Sequence, residues 1–129
     1  MKVLGIGVDI IHNKRFKLLS KKKIFIKRIY GKNEIKFSKN IKNKLNYFAK
    51  RFAAKEAFVK AIGTGFRHDI NFNDIEINNH KNGKPYILLS KKLKNFLKKK
   101  FKIQKYKVHL SLSDEKDYSV AFVIIDKII

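Results

Sequence analysis

The stretch Asn46–Gly65, NYFAKRFAAKEAFVKAIGTG, constrains the fold most. Phe48, Phe52, Lys55, Val59 and Ile62 recur in steps of four and three, the period of an α-helix, and Gly63 and Gly65 supply a stop. Such a helix needs a partner for its apolar stripe. Residues Val3 to Ile10 offer one: Leu4, Ile6, Val8 and Ile10 alternate with Gly5, Gly7 and Asp9, and period two means a strand. Glycine weakens a strand interior, so two on one face indicate close approach by a backbone or a ligand. A tight crossing with the long helix and a cleft floor edged by Asp9 are both open readings.

The remaining elements follow from the same periods. Asn13 to about Tyr30 reads as one helix with Asn13 as N-cap and Phe16, Leu19, Ile26 and Ile29 inward. A shorter helix starts at Asn33. Ile70 to Ile77 reads as a strand, and Asn82-Gly83 as a hairpin turn into Tyr86–Leu89. Ser90 can cap a helix that buries Leu93, Phe96, Leu97 and Phe101. Val108, Leu110 and Leu112 alternate with His109, Ser111 and Ser113, and a polar turn from Asp114 to Asp117 leads into the apolar Tyr118–Ile125. This order indicates an α+β fold with a largely antiparallel sheet packed against the long helix. The 129 residues suggest a single domain, 1–129.

Composition narrows the function. The chain is 44% hydrophobic with 11 Phe, which excludes a disordered chain. It has no Cys, which excludes disulfides and thiolate metal sites. No apolar run approaches the ~20 residues of a membrane helix, and MKVLGIGVDIIH is not a signal peptide, so a cytoplasmic protein is expected. The formal net charge of +22 suggests an anionic partner: nucleic acid, an acidic protein or a phosphorylated ligand. The competing reading is compositional drift, because Lys, Asn, Ile and Phe abound as an AT-rich genome would impose. Only four of the 32 basic residues are arginines: Arg15, Arg28, Arg51 and Arg67. Arginine supplies a rigid bidentate fork that lysine lacks, so these four are candidates for holding a phosphate or carboxylate.

Two carboxylates carry the candidate chemistry. Glu56 and Lys60 stand at i, i+4 in the favoured order, which by itself is a helix-surface pair worth about 0.2–0.5 kcal/mol. Lys55 lies on the apolar stripe, where its stem can pack while its ammonium reaches water. Asp9 and Glu56 together offer hard oxygen ligands of the kind Mg²⁺ accepts beside waters and substrate phosphates. With Lys60 and Arg51 they form a plausible phosphoryl-transfer site, provided that the strand and the helix meet. His12, His68, His80 and His109 lack metal-ligand spacing; His109 is either a surface histidine or a ligand contact. The run KNFLKKKFK could bind nucleic acid, but its Phe residues fall at core spacing, so a solvated basic face fits better. A small basic nucleic-acid-binding protein explains the charge but not Asp9, Glu56 or the glycines.

Four stretches, in order and nearly end to end, resemble the holo-acyl-carrier-protein synthases: GIGVDI, FAKRFAAKEAFVKAIGTG, NGKPY and HLSLSDEKDYSVAFVII. The resemblance implies the 4′-phosphopantetheinyl transferase fold. It also implies transfer of phosphopantetheine from coenzyme A to a serine of an acidic apo acyl carrier protein. That reaction is Mg²⁺-dependent, releases 3′,5′-ADP and serves fatty acid biosynthesis. It further implies metal ligation by Asp9 and Glu56 and contact of Lys60 with the reacting phosphate. Arg51, Gly83, Lys84 and Pro85 then lie near the nucleotide, and Arg15 grips the carrier protein. A homotrimer with sites between neighbouring subunits is expected, with neither membrane nor specific nucleic acid as partner. Two departures stand out: His12 where many members have Glu, and Asp114 where many have His. The latter leaves a metal-bound water, Glu56 or Asp114 to take the serine proton.

Overall fold

The computed structural model describes residues 2–128. The order is β1 (Lys2–His12), α1 (Asn13–Ser20), α2 (Lys23–Ile29), α3 (Lys32–Ser38), α4 (Lys44–Ile62), β2 (Ile75–Asn79), β3 (Pro85–Leu89), α5 (Lys91–Phe101), β4 (Tyr106–Asp114) and β5 (Tyr118–Lys127). The strands form two antiparallel sheets, β1-β5-β4 and β2-β3. Helix α4 packs against both and supplies Ala53, Ala54, Ala57, Phe58, Val59 and Ile62 to the core. No helix among the described residues is long and apolar enough to cross a membrane.

The ends of α4 are fixed locally. The Asn43 side chain accepts from the Asn46 N–H, and Gly63 closes the helix in the left-handed region at φ 77°, where a side chain would be strained. Gly5 and Gly7 are explained by packing. A Cβ on Gly5 would collide with the Ala61 carbonyl, and one on Gly7 with the Ala57 carbonyl. The tight crossing is therefore the right reading of the two glycines, and Asp9, on the same face, is carried to the edge of that crossing.

The opposite face of β1 is exposed. Ile6, Val8 and Ile10 stand 62%, 54% and 61% exposed, and Phe122, the register partner of Val8 on β5, is 41% exposed. Alternation alone does not decide which side of a strand meets the core.

Four local expectations are corrected. Asn13–Tyr30 forms two helices, broken at Lys21 and Lys22. His12, not Asn13, occupies the N-cap position. Asn13 is buried; its amide donates to the Glu115 and Lys116 carbonyls, and its oxygen accepts from the Ser119 hydroxyl. Leu19 is exposed, because the short helix turns it outward. The strand after Ile70 begins only at Ile75, preceded by a 3₁₀ turn, Phe72–Asp74.

Lys55 departs furthest from expectation. Its ammonium does not reach water: it lies 2.7 Å from Glu34 Oε1 and donates to the Ile29 and Phe72 carbonyls. Glu34 also accepts from the Gly31 and Ile77 N–H groups. A buried ion pair persists only when its remaining valences are filled in this way.

Ser90 caps α5 by accepting from the Leu93 N–H. Leu93 and Leu97 are buried, and Phe96 and Phe101 pack against the core at its edge, so the lysine face of α5 presents no row of stacking aromatics.

Candidate active site

Asp9 leaves β1 toward α4, and Lys60 comes to meet it. Lys60 Nζ lies 2.9 Å from Asp9 Oδ1 and 3.0 Å from the Val8 carbonyl oxygen. Asp9 Oδ2 is buried with no hydrogen-bond partner. Glu56, one turn before Lys60, forms no salt bridge among the described residues. The helix-surface pair that i, i+4 spacing suggests is thus replaced by a cross-element pair. Burial pushes the Glu56 carboxyl above its usual range, the charge of Asp9 pushes the same way, and Lys60 opposes both. Asp9, Glu56 and Lys60 therefore share one electrostatic environment.

This arrangement fits a hard divalent cation. One Asp9 oxygen is orphaned, and burial together with the charge of Asp9 disfavours the ionised form of Glu56, a cost that a bound cation would relieve. Among the described residues no three His, Cys, Asp or Glu side chains cluster to hold a metal alone. Mg²⁺ does not need a third, since waters and substrate phosphates complete its shell.

Arg51 lies elsewhere. Five residues separate it from Glu56, so the two point about 140° apart around α4. Arg51 is buried, stacks 3.6 Å above the Tyr47 ring and donates to Asn79 Oδ1. Its Nε is buried without a partner. Asn79 in turn donates to the Gly83 carbonyl at 2.8 Å, tying Arg51 to the β2-β3 turn. Arg51, Gly83, Lys50, His80, Lys81 and Asp114 line one cavity of about 410 Å³, which Asp9, Glu56 and Lys60 do not line. Lys84 and Pro85 follow Gly83 without lining it; the Lys84 N–H caps the turn through Asn82 Oδ1.

Arg15 is exposed on α1 and lines a third region, a mostly apolar cavity of about 400 Å³ with His12, Phe16, Leu19, Phe52 and Tyr118. His12 sits edge-on to the Tyr118 ring, and its Nδ1 is buried without a partner. His109 is satisfied inside the chain, with Nε2 2.9 Å from Asp126 Oδ2. Asp114 is engaged at both oxygens, by Asn46 and by Lys50. Sequence reasoning missed Asn79, Asn46 and Lys50. The i, i+4 spacing of Asn46 and Lys50 was a signal for a shared face; nothing local marked Asn79.

The 4′-phosphopantetheinyl transferase superfamily matches residues 5–123. The chain belongs to this family. It is 54% identical over 127 residues to the holo-[acyl-carrier-protein] synthase of Pelagibacter ubique, covering 98% of this chain and 99% of that one. The crystal structure of the holo-[acyl-carrier-protein] synthase from Neisseria meningitidis superposes with a TM-score of 0.88 at 40% identity, covering 97% of this chain and 99% of that one. The Bacillus anthracis synthase, solved in complex with CoA (3′,5′-ADP), gives a TM-score of 0.80 at 37% identity, covering 98% and 99%. The architecture is thus that of the 4′-phosphopantetheinyl transferase fold, as the four sequence stretches implied, with its antiparallel strands set against α4.

Proposed function

We propose that this chain transfers 4′-phosphopantetheine from coenzyme A to a serine of apo acyl carrier protein, releases 3′,5′-ADP and serves fatty acid biosynthesis in the cytoplasm. The observation that carries this reading is the Lys60–Asp9 pair, with one Asp9 oxygen left orphaned and Glu56 one turn before Lys60 in the same electrostatic environment.

Asp9 and Glu56 would hold Mg²⁺, which when bound neutralises the pyrophosphate of coenzyme A. Lys60, half-exposed and already aimed at the site, supplies a further positive charge where the ADP leaving group develops negative charge. Arg51, with Gly83, Lys84 and Pro85, holds the nucleotide. Asp114 is a poor candidate for the serine proton because Asn46 and Lys50 occupy its oxygens.

Arg15 and the basic surface receive the acidic carrier protein. Raising salt then weakens apparent carrier affinity much more than coenzyme A affinity. The active assembly is a homotrimer. Two features support it: the apolar outer face of β1, and the separation of the Asp9 cluster from the Arg51 cavity, which a neighbouring copy would bridge.

The test is intact-mass analysis of apo acyl carrier protein incubated with this protein, coenzyme A and Mg²⁺. A gain of one phosphopantetheine, lost with EDTA and in Glu56→Gln, supports the reading. No gain across several carrier proteins overturns it.

A further inference from the structure

The Arg51 cavity has an additional cation in its lining, Lys50, held by a carboxylate. Lys50 Nζ lies 3.2 Å from Asp114 Oδ1, and Asp114 Oδ2 accepts from Asn46 Nδ2 at 2.8 Å. Asn46 Nδ2 also donates to the Glu115 carbonyl at 3.1 Å, and its backbone N–H is tied to Asn43 Oδ1. Asn46 and Lys50 stand one turn apart on α4, so a single helix face clamps the end of β4. The Lys50 and Asp114 side chains are 28% and 30% exposed, so water still screens the pair and limits what it adds to stability. What the clamp does achieve is to fix a long, flexible lysine beside Arg51, His80, Lys81 and the Gly83 turn.

Coenzyme A carries two separate anionic groups. The pyrophosphate contains the bond that breaks and belongs with Asp9, Glu56 and Lys60. The ribose 3′-phosphate is a monoester, with a charge of about −1.5 to −2 at neutral pH, and it needs a second cationic site. Arg51 alone is largely committed to Tyr47 and Asn79, although its Nε is unpartnered. Lys50 is the cation at this cavity whose position a carboxylate fixes. We propose that Lys50, positioned by Asp114, binds the 3′-phosphate and makes the enzyme select coenzyme A over its 3′-dephospho form. Asp114 acts through Lys50 and does not touch the reacting atoms. This inference rests on the transferase reading.

The experiment compares 3′,5′-ADP with 5′-AMP by titration calorimetry, and coenzyme A with 3′-dephospho-coenzyme A by kcat/KM. In Lys50→Met the preference for the 3′-phosphorylated ligand falls about tenfold in both assays, the scale of one charge-assisted hydrogen bond. Lys50→Arg retains most of the preference, and Asp114→Asn loses a smaller part of it. An unchanged preference in Lys50→Met, or equal weakening toward both ligands, overturns the proposal while leaving the transferase intact. If the unaltered protein modifies no carrier protein with either donor, the transferase reading itself has failed and this inference falls with it.

Discussion

Lys60 reaches across to Asp9 rather than back to Glu56. Its Nζ lies 2.9 Å from Asp9 Oδ1, although Glu56 is one turn away on the same helix. Lys60→Ala should lower kcat by about 10²–10³, the cost of removing one preorganised charge from a developing anion. Asp9→Asn and Glu56→Gln should each abolish Mg²⁺ binding by calorimetry and transfer activity together. Undiminished metal binding in both variants would place the cation elsewhere.

Gly7→Ala tests the crossing that delivers Asp9. The new Cβ meets the Ala57 carbonyl, a backbone atom that cannot rotate away. A loss of about 1–3 kcal/mol or more is expected in urea denaturation. A neutral result would mean that β1 and α4 can separate at no cost.

The buried Lys55–Glu34 pair predicts a non-additive outcome. Lys55→Met leaves Glu34 buried without its cation and should cost about 3–5 kcal/mol. Lys55→Met combined with Glu34→Gln removes both charges and keeps an acceptor for one of the Gly31 and Ile77 N–H groups, which Glu34 serves through separate oxygens. The double variant should therefore be more stable than Lys55→Met alone. A simple sum of the two single effects would argue that the pair is uncoupled.

Asp74 sets an acid limit. Burial tends to raise its carboxyl, but the Asn71 N–H, the Ser90 hydroxyl and the Lys92 ammonium together hold it below the ordinary carboxylate range. A depressed folded-state pKa contributes stability above the unfolded value, about 3.9, and loses it as pH falls through the lower folded value. The Tm advantage of the unaltered chain over Asp74→Asn should accordingly shrink between pH 6 and pH 3. A constant advantage would assign the effect to packing.

Val8→Lys places a charge on the apolar outer face of β1, opposite Phe122. With the proposed homotrimer built on this face, light scattering should report a mass reduced from three chains to one, with circular dichroism unchanged and transfer activity lost. A persistent oligomer would locate the interface on another surface.

Much of the fold was legible because its signals are local. The α4 stripe, the Gly63 stop, the Ser90 cap, the β4 alternation and the polar turn into the apolar β5 are each written within about 20 residues or fewer, and these elements form as their local patterns require. The Asn13–Tyr30 stretch misled because its apolar spacing continues across the Lys21-Lys22 break. The glycines of β1 announced a close approach without naming what approaches.

Local patterns along the chain mark most of the elements, the family motifs and the residue types able to hold phosphate and metal. Which face of β1 is buried, the sealing of Lys55 against Glu34 and the pairing of Lys60 with Asp9 emerge only once the chain is folded. Period and capping depend on near neighbours along the chain. The partner of a charge depends on which distant element packs beside it: 21 residues separate Lys55 from Glu34, and 51 separate Lys60 from Asp9.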